Sequence, residues 1–261
     1  MSSEQPNHAE ERAESMAEAP MMLADSVRLL IDLVFYSVCL LPAGCAFVLL
    51  WQVGGFLPRV LAFPAAYVGL VVGFWIGLLL LRLVFIRKIS PGTYDLQKPE
   101  ALRWIIADTI MRLVERSFLH PYVDDFTPTR YVFYRLMGAR VDTSFFFGWD
   151  AKILDPWLLE VGRGAVIGSF AVIAGHSVEG DKVVLDPVRI GDGATVGVRS
   201  VLLPGVEVGA NAIVGAGSLV TKGTVIPEGE IWAGVPARKI GTVEESQPPG
   251  EESPEEKSED V

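Results

Sequence analysis

Residues 190–232 read IGDGAT VGVRSV LLPGVE VGANAI VGAGSL VTKGTV IPEGEI W, and cut this way every unit of six opens on an apolar residue. Those residues are Ile190, Val196, Leu202, Val208, Val214, Val220, Ile226 and Trp232. Glycine follows at 191, 197, 209 and 215, and the fifth place is small at Ala194, Ser200, Ala212, Ser218 and Thr224. The rhythm also runs upstream, through Val161-Gly162, Ile167-Gly168 and Ile173-Ala174. Self-similarity at this short period predicts a parallel β-solenoid. Each unit supplies one short strand and one turn, and its large apolar residue points inward. Glycine and small residues then mark corners where φ is positive or neighbouring coils approach too closely for a bulky Cβ.

With its runs Pro204–Gly209, Gly215–Lys222 and Gly234–Arg238, the segment from about 139 to 240 resembles the hexapeptide-repeat acyltransferases. That resemblance implies a left-handed parallel β-helix in which three hexapeptides make one triangular coil. It also implies a homotrimer with active sites between neighbouring chains, and an acyl-CoA donor. The hydrophobic helices ahead of the solenoid are similar to the membrane-embedded terminal segments of some nonribosomal-peptide-synthetase-like proteins.

Composition narrows the setting. Half of the 261 residues are hydrophobic and mean hydropathy is +0.37, high for a soluble chain. The formal charge of −10 is carried by the ends. Residues 1–26 hold six acids and one Arg, and residues 244–261 hold eight acids and one Lys. The remainder has no basic stripe to neutralise phosphates, which argues against a nucleic-acid partner. Cys39 and Cys45 lie in an apolar stretch and read as packing residues rather than a disulfide or metal framework.

Five segments follow in order. Residues 1–26 are acidic without an apolar period and are expected to be disordered. Residues 27–88 hold two uncharged stretches, Leu33–Trp51 and Val60–Leu81, each long enough to cross a bilayer as a helix. Gly44, Gly69, Gly73 and Gly77 offer close helix–helix approach. Arg28, Arg82, Arg87 and Lys88 flank the spans against a single Arg59 between them, which places both termini and the solenoid on the cytoplasmic side of an inner membrane. Residues 89–138 read as a Pro/Gly linker followed by helical segments. The first, Pro99 to about Phe118, has Leu102, Ile105, Ile106, Ile110, Leu113 and Val114 at helical spacing. With Arg103, Trp104, Arg112 and Arg116 it either lies in the membrane interface or packs on the solenoid. A second helix, 129–137, is expected to cap the open end of the solenoid. Residues 139–241 form the β-helix, with a degenerate first coil around Phe145–Phe147, and 242–261 are again expected to be disordered.

The repeat breaks once, between Ile173 and Val178, after which Val178, Val184 and Ile190 resume steps of six. His176 falls in this break and is the single histidine of the solenoid. Function on a rigid scaffold tends to sit where the repeat is broken. The family resemblance makes His176 the general base, a task suited to imidazole because its ordinary pKa lies near neutrality. A surface histidine without a role is the bland alternative. Asp155, one coil earlier, is favoured as the carboxylate orienting its second ring nitrogen, then Glu179 in the same loop, with Asp192 a third option.

The resemblance also implies donor contacts: Gly215, Ala216, Gly217, Ser218 and Thr221 along the pantetheine arm, with Lys222, Arg238 and Lys239 meeting the phosphates of coenzyme A. Trp232 either stacks on the adenine or plugs the last coil. One histidine and no cysteine in the solenoid argue against a catalytic metal. The reading is a membrane-anchored O- or N-acetyltransferase using acetyl-CoA on a glycan, peptide or small amphiphile. Its rival is a non-catalytic trimeric scaffold of a membrane complex.

Overall fold

The computed structural model describes residues 8–84, 86, 89–117, 120–124 and 127–246. Residues 1–7 and 247–261 of the two acidic ends lie outside it. The described residues fall into two compact units, one within 1–84 and 109–119, the other within 85–108 and 120–261.

The first unit is built on two helices, α1 (His8–Val53) and α2 (Phe56–Val84). The first begins at His8 rather than near residue 27, so residues 8–26 are helical instead of disordered. They hold five Ala, four Glu and three Met, all good helix formers, and no Gly, so the helix extends into them despite Pro20. Within the pair, small residues permit close backbone approach. A Cβ at Gly69 would sit 2.8 Å from the carbonyl carbon of Pro42, and one at Gly73 2.8 Å from Cys39 Cα. Phe35 and Phe74 meet edge to face at 5.8 Å beside this contact. Cys39 is buried there, but Cys45 is exposed, correcting the expectation that both pack inward. Asp32–Val53 and Phe56–Val84 are each long and apolar enough to cross a membrane.

The second unit opens with strand β1 (Gly92–Asp95) and the part of helix α3 (Pro99–Arg116) up to Asp108, then the helices α4 (His120–Asp124) and α5 (Thr127–Leu136). The first solenoid coil is β2 (Arg140–Val141), β3 (Phe146–Phe147) and β4 (Lys152–Ile153). The second is β5 (Leu159–Val161), β6 (Val166–Ile167) and β7 (Val172–Ile173). A hairpin of β8 (His176–Glu179) and β9 (Lys182–Leu185) then leaves the ladder. The third coil is β10 (Val188–Ile190), β11 (Thr195–Val196) and β12 (Val201–Leu202). The fourth is β13 (Glu207–Val208), β14 (Ile213–Val214) and β15 (Leu219–Val220). A partial coil of β16 (Val225–Ile226) and β17 (Glu230–Gly234) is closed by the antiparallel β18 (Ala237–Thr242).

Coil stacking produces three sheets, β16-β13-β10-β5-β2, β18-β17-β14-β11-β6-β3 and β15-β12-β7-β4. Every pairing within them is parallel except β17–β18. The hexad openers form the interior: Val196, Leu202, Val214 and Val220 are wholly buried, and Ile190, Val208 and Ile226 nearly so. Each such side chain contributes about 1.5–3 kcal/mol on burial. The fifth places are equally inaccessible at Ala194, Ala212 and Ser200, which is why they are small. Ser200 satisfies its hydroxyl at the carbonyls of Gly197 and Gly215, 2.8 and 3.0 Å away. At Gly197 a Cβ would stand 2.5 Å from the Ala216 nitrogen of the next coil, so this corner admits only hydrogen.

α5 packs on the first coil. Tyr134 meets Phe147 at 5.3 Å, and Arg130 Nη1 donates to the Phe147 carbonyl at 2.9 Å. Phe147 and Phe145 are buried while Phe146 is exposed.

Three further expectations are corrected here. Residues 92–95 are not linker but an edge strand, because the hairpin leaves the ladder with a free edge at β9 that β1 covers antiparallel. Val178 and Val184 do not continue the six-step. The hairpin alternates with period two, so Val183 and Leu185 are buried and Val178 is 54% exposed. Of the two placements left open for this helix, Trp104 takes the packed one, 7% exposed against Ala101, Leu158, Val183 and Leu185, while Leu102 faces outward. The ordered chain continues past Gly241 through β18 and a short helix, Val243–Ser246.

Candidate active site

The site follows from two departures from an eighteen-residue coil. Ile190 pairs with Val208 and Val208 with Ile226, eighteen positions apart each time. Val141, however, pairs with Val161, twenty positions on, and Val161 with Ile190, twenty-nine on. The first excess is taken up at Asp155 and the 3₁₀ turn Pro156–Leu158 that follows it. The second is the β8–β9 hairpin. Both occur at the corner after the β4/β7 column, one coil apart, so Asp155 lies beside the base of the hairpin.

There Asp155 is 2% exposed, and a carboxylate so buried needs hydrogen-bond donors. Three reach it. His176 Nδ1 lies 2.6 Å from Oδ2, the Gly175 N–H donates to Oδ2 at 3.0 Å, and Trp104 Nε1–H donates to Oδ1 at 3.1 Å. Gly175 is required for this approach, since a Cβ on it would come 2.8 Å from Leu158 Cβ and 3.2 Å from Asp155 Cβ. The Trp104 ring also stands against the imidazole, with centroids 4.8 Å apart and planes inclined by 58°. Because an ionised carboxylate only accepts, the short contact to Asp155 puts the proton on Nδ1 and leaves the lone pair on Nε2. The His176 side chain retains 19% exposure, against none for Asp155. The pair thus holds the imidazole in one orientation, with Nε2 the ring nitrogen that Asp155 does not engage.

Comparison with known proteins gives a consistent placement. A family model for the hexapeptide repeat of succinyl-transferase matches residues 187–222. "Putative acetyltransferase YvoF" of Bacillus subtilis is 30% identical over 151 residues, 55% of this chain and 87% of that protein. The chain belongs to the hexapeptide-repeat acyltransferases, a family of enzymes. It is also 28% identical over 180 residues, 69% of its length, to the Delta-poly-L-ornithine synthetase of Acinetobacter baumannii, spanning 13% of that protein. Among solved structures, a maltose O-acetyltransferase from Clostridium difficile 630 overlays with a TM-score of 0.45 at 18% identity, covering 59% of this chain and 94% of that one.

As a hexapeptide-repeat acyltransferase the chain had a second carboxylate candidate, Glu179, and the structure separates it from the imidazole nitrogen that Asp155 holds. Glu179 is exposed near the hairpin tip, accepts from Ser177 Oγ at 3.3 Å and pairs with Lys222 Nζ. Asp192 is in turn engaged at another corner, accepting from the Arg163 N–H at 2.8 Å.

The expected donor residues divide. Ala216 and Gly217 are exposed at an open turn where Gly217 has φ +67°. Gly215 is pinned by its N–H to the Trp232 carbonyl, and Ser218 Oγ accepts from the Gly234 N–H at 3.2 Å. Thr221 Oγ1 meets Thr224 Oγ1 at 3.1 Å. Lys222 stands by the hairpin. Lys239 lies on β18 with Glu230, 2.7 Å away, and the Arg238 guanidinium donates to the Ala237 carbonyl at 2.9 Å. Trp232 does not plug the last coil. It is half-buried and donates to Glu230 Oε2 at 2.8 Å.

Sequence reasoning missed Trp104 as a site residue. Its helical spacing reported only that α3 has an apolar face, and nothing local says that an indole fifty-one positions upstream meets Asp155.

Proposed function

We propose that this chain is an acyl-CoA-dependent O- or N-acyltransferase, with acetyl as the transferred group, in which His176 is the general base and Asp155 orients it. One observation carries the reading: both breaks in the repeat converge on a 2.6 Å contact between these residues. His176 Nε2 takes the proton from an acceptor hydroxyl or amine as that oxygen or nitrogen attacks the thioester carbonyl. The tetrahedral intermediate then expels the coenzyme A sulfur, which recovers the proton from the imidazolium. The products are the acylated acceptor and free coenzyme A. Buried Asp155 stabilises the imidazolium between these steps.

The donor arm follows the turn Gly215–Ser218, where small residues leave main chain accessible. Lys222, Arg238 and Lys239 serve the phosphates, the two lysines exchanging Glu179 and Glu230 for the ligand. Family membership supports a left-handed solenoid, a homotrimer and sites completed by the neighbouring chain. The outward apolar surface of α1 and α2, including Leu33, Leu41, Leu49, Phe56, Phe63 and Val68, supports a membrane-spanning hairpin. Likeness to a protein named for making poly-L-ornithine adds amines to the acceptors worth assaying.

Release of coenzyme A thiol from acetyl-CoA, with and without acceptor, tests the reading. His176→Ala lowers turnover by roughly 10²–10⁴-fold while donor binding persists. Wild-type chain that binds no coenzyme A, or a His176→Ala variant with undiminished turnover, refutes it.

A further inference from the structure

Beside the catalytic pair, on the face where β1 and α3 cover the hairpin, lies a cleft of about 350 Å³ lined by Ile89, Ser90, Tyr94, Pro99, Arg103, Trp104 and Leu185. None of these belongs to a hexapeptide unit. Its floor is the buried pair Trp104 and Leu185, and its rim is the exposed Ser90, Pro99 and Arg103. Both floor residues are immediate neighbours of His176. Trp104 stands 4.8 Å from the imidazole, and Leu185 is its cross-strand partner in the β8–β9 hairpin. Tyr94 closes one wall, its hydroxyl donating to the Ser90 carbonyl at 3.0 Å. Among the described residues lining the cleft, Arg103 carries the one charge, and that charge is positive.

We infer that this cleft is the acceptor subsite, and that the acceptor carries an apolar body and an anionic group, carboxylate or phosphate. The inference rests on the acyltransferase reading and adds to it the class of acceptor. A low-polarity floor of indole and isobutyl groups takes up apolar area. A guanidinium at the rim pairs with carboxylate or phosphate through two parallel N–H donors. The small volume admits a short chain or a single ring, with the group to be acylated extending past the indole edge toward Nε2 of His176. Strand β1 and the first turns of α3 thereby act as specificity elements grafted onto the solenoid.

Binding without turnover tests this independently of catalysis. The probes are N-hexanoylglycine and hexyl phosphate, with the methyl ester of N-hexanoylglycine as neutral control. They are titrated against the full detergent-solubilised chain by calorimetry. At least one anionic probe binds, the ester binds at least tenfold more weakly, and Arg103→Gln abolishes the difference. The relative affinity of the two anions distinguishes a carboxylate acceptor from a phosphate one. Ser90→Trp, an exposed rim change that fills the mouth, weakens all three probes. No binding by either anion, equal binding of the ester, or an Arg103→Gln chain that keeps the preference overturns the cleft assignment. The transferase reading survives those results, because it stands or falls on His176-dependent release of coenzyme A.

Discussion

Asp155 is the most constrained residue of the site, and three neighbours fix it. Trp104→Phe removes the N–H but keeps an aromatic ring against His176. Losing that donor leaves Asp155 with two hydrogen-bond partners instead of three, so the imidazole it orients is held less firmly. Turnover is then expected to fall several-fold while Tm changes little. A Trp104 that serves packing alone would leave turnover per folded molecule unchanged. Gly175→Ala should act more strongly, because its methyl meets Leu158 and Asp155 together. A loss above about tenfold in turnover is expected while the chain still folds, since overpacking costs about 1–3 kcal/mol and a solenoid distributes its stability over many coils. The juxtaposition of the candidate pair was legible beforehand: His176 by its uniqueness at a break in the repeat, Asp155 by counting one coil back. Trp104 was not, because a contact between a helix and a solenoid corner leaves no periodicity in either.

At the scale of elements, the glycine and small-residue columns announce the solenoid because coil stacking repeats the same collision at each corner. The β8–β9 hairpin was visible only as a slip. Its strands are four residues long, too short for their period-two alternation to stand apart from a six-step. β1 was invisible for a related reason: a four-residue edge strand, Gly92–Asp95, is defined by the edge it covers rather than by its own pattern. The closing pair β17–β18 supports a prediction about acid stability. Hydrogen bonds from Lys239 first, then Trp232, hold the Glu230 carboxyl below its ordinary value near 4.5. A depressed folded pKa contributes stability that is complete above the unfolded value and lost as pH falls through the folded one. Glu230→Gln should therefore lower Tm at pH 7, and the gap to wild type should close below about pH 4. A gap independent of pH would show that the Glu230–Lys239 pair adds nothing to closure of the last coil.

At the scale of the molecule, the question is whether a solenoid enzyme is tethered by its own helices. Leu33, Leu41, Leu49, Phe56, Phe63 and Val68 are each more than half exposed on the hairpin, while Gly69 and Gly73 let the two helices touch through their backbones. Outward large residues and inward small ones suit helices solvated by lipid, where close packing rather than hydrophobic exclusion holds a pair together. The intact chain should therefore sediment with membranes after alkaline carbonate treatment. If the pair spans a membrane, the bias of basic residues flanking the spans is expected to put the short turn at Gly54-Gly55 on the far side. With Cys39 and Cys45 replaced by serine, Gln52→Cys should react with a membrane-impermeant maleimide in intact cells. Arg163→Cys, at an exposed solenoid corner, should react only after permeabilisation. The reverse labelling would invert the orientation and separate the solenoid from cytoplasmic acyl-CoA. Release by carbonate would refute the hairpin itself, because two helices of this length buried in lipid cannot be extracted without removing the bilayer.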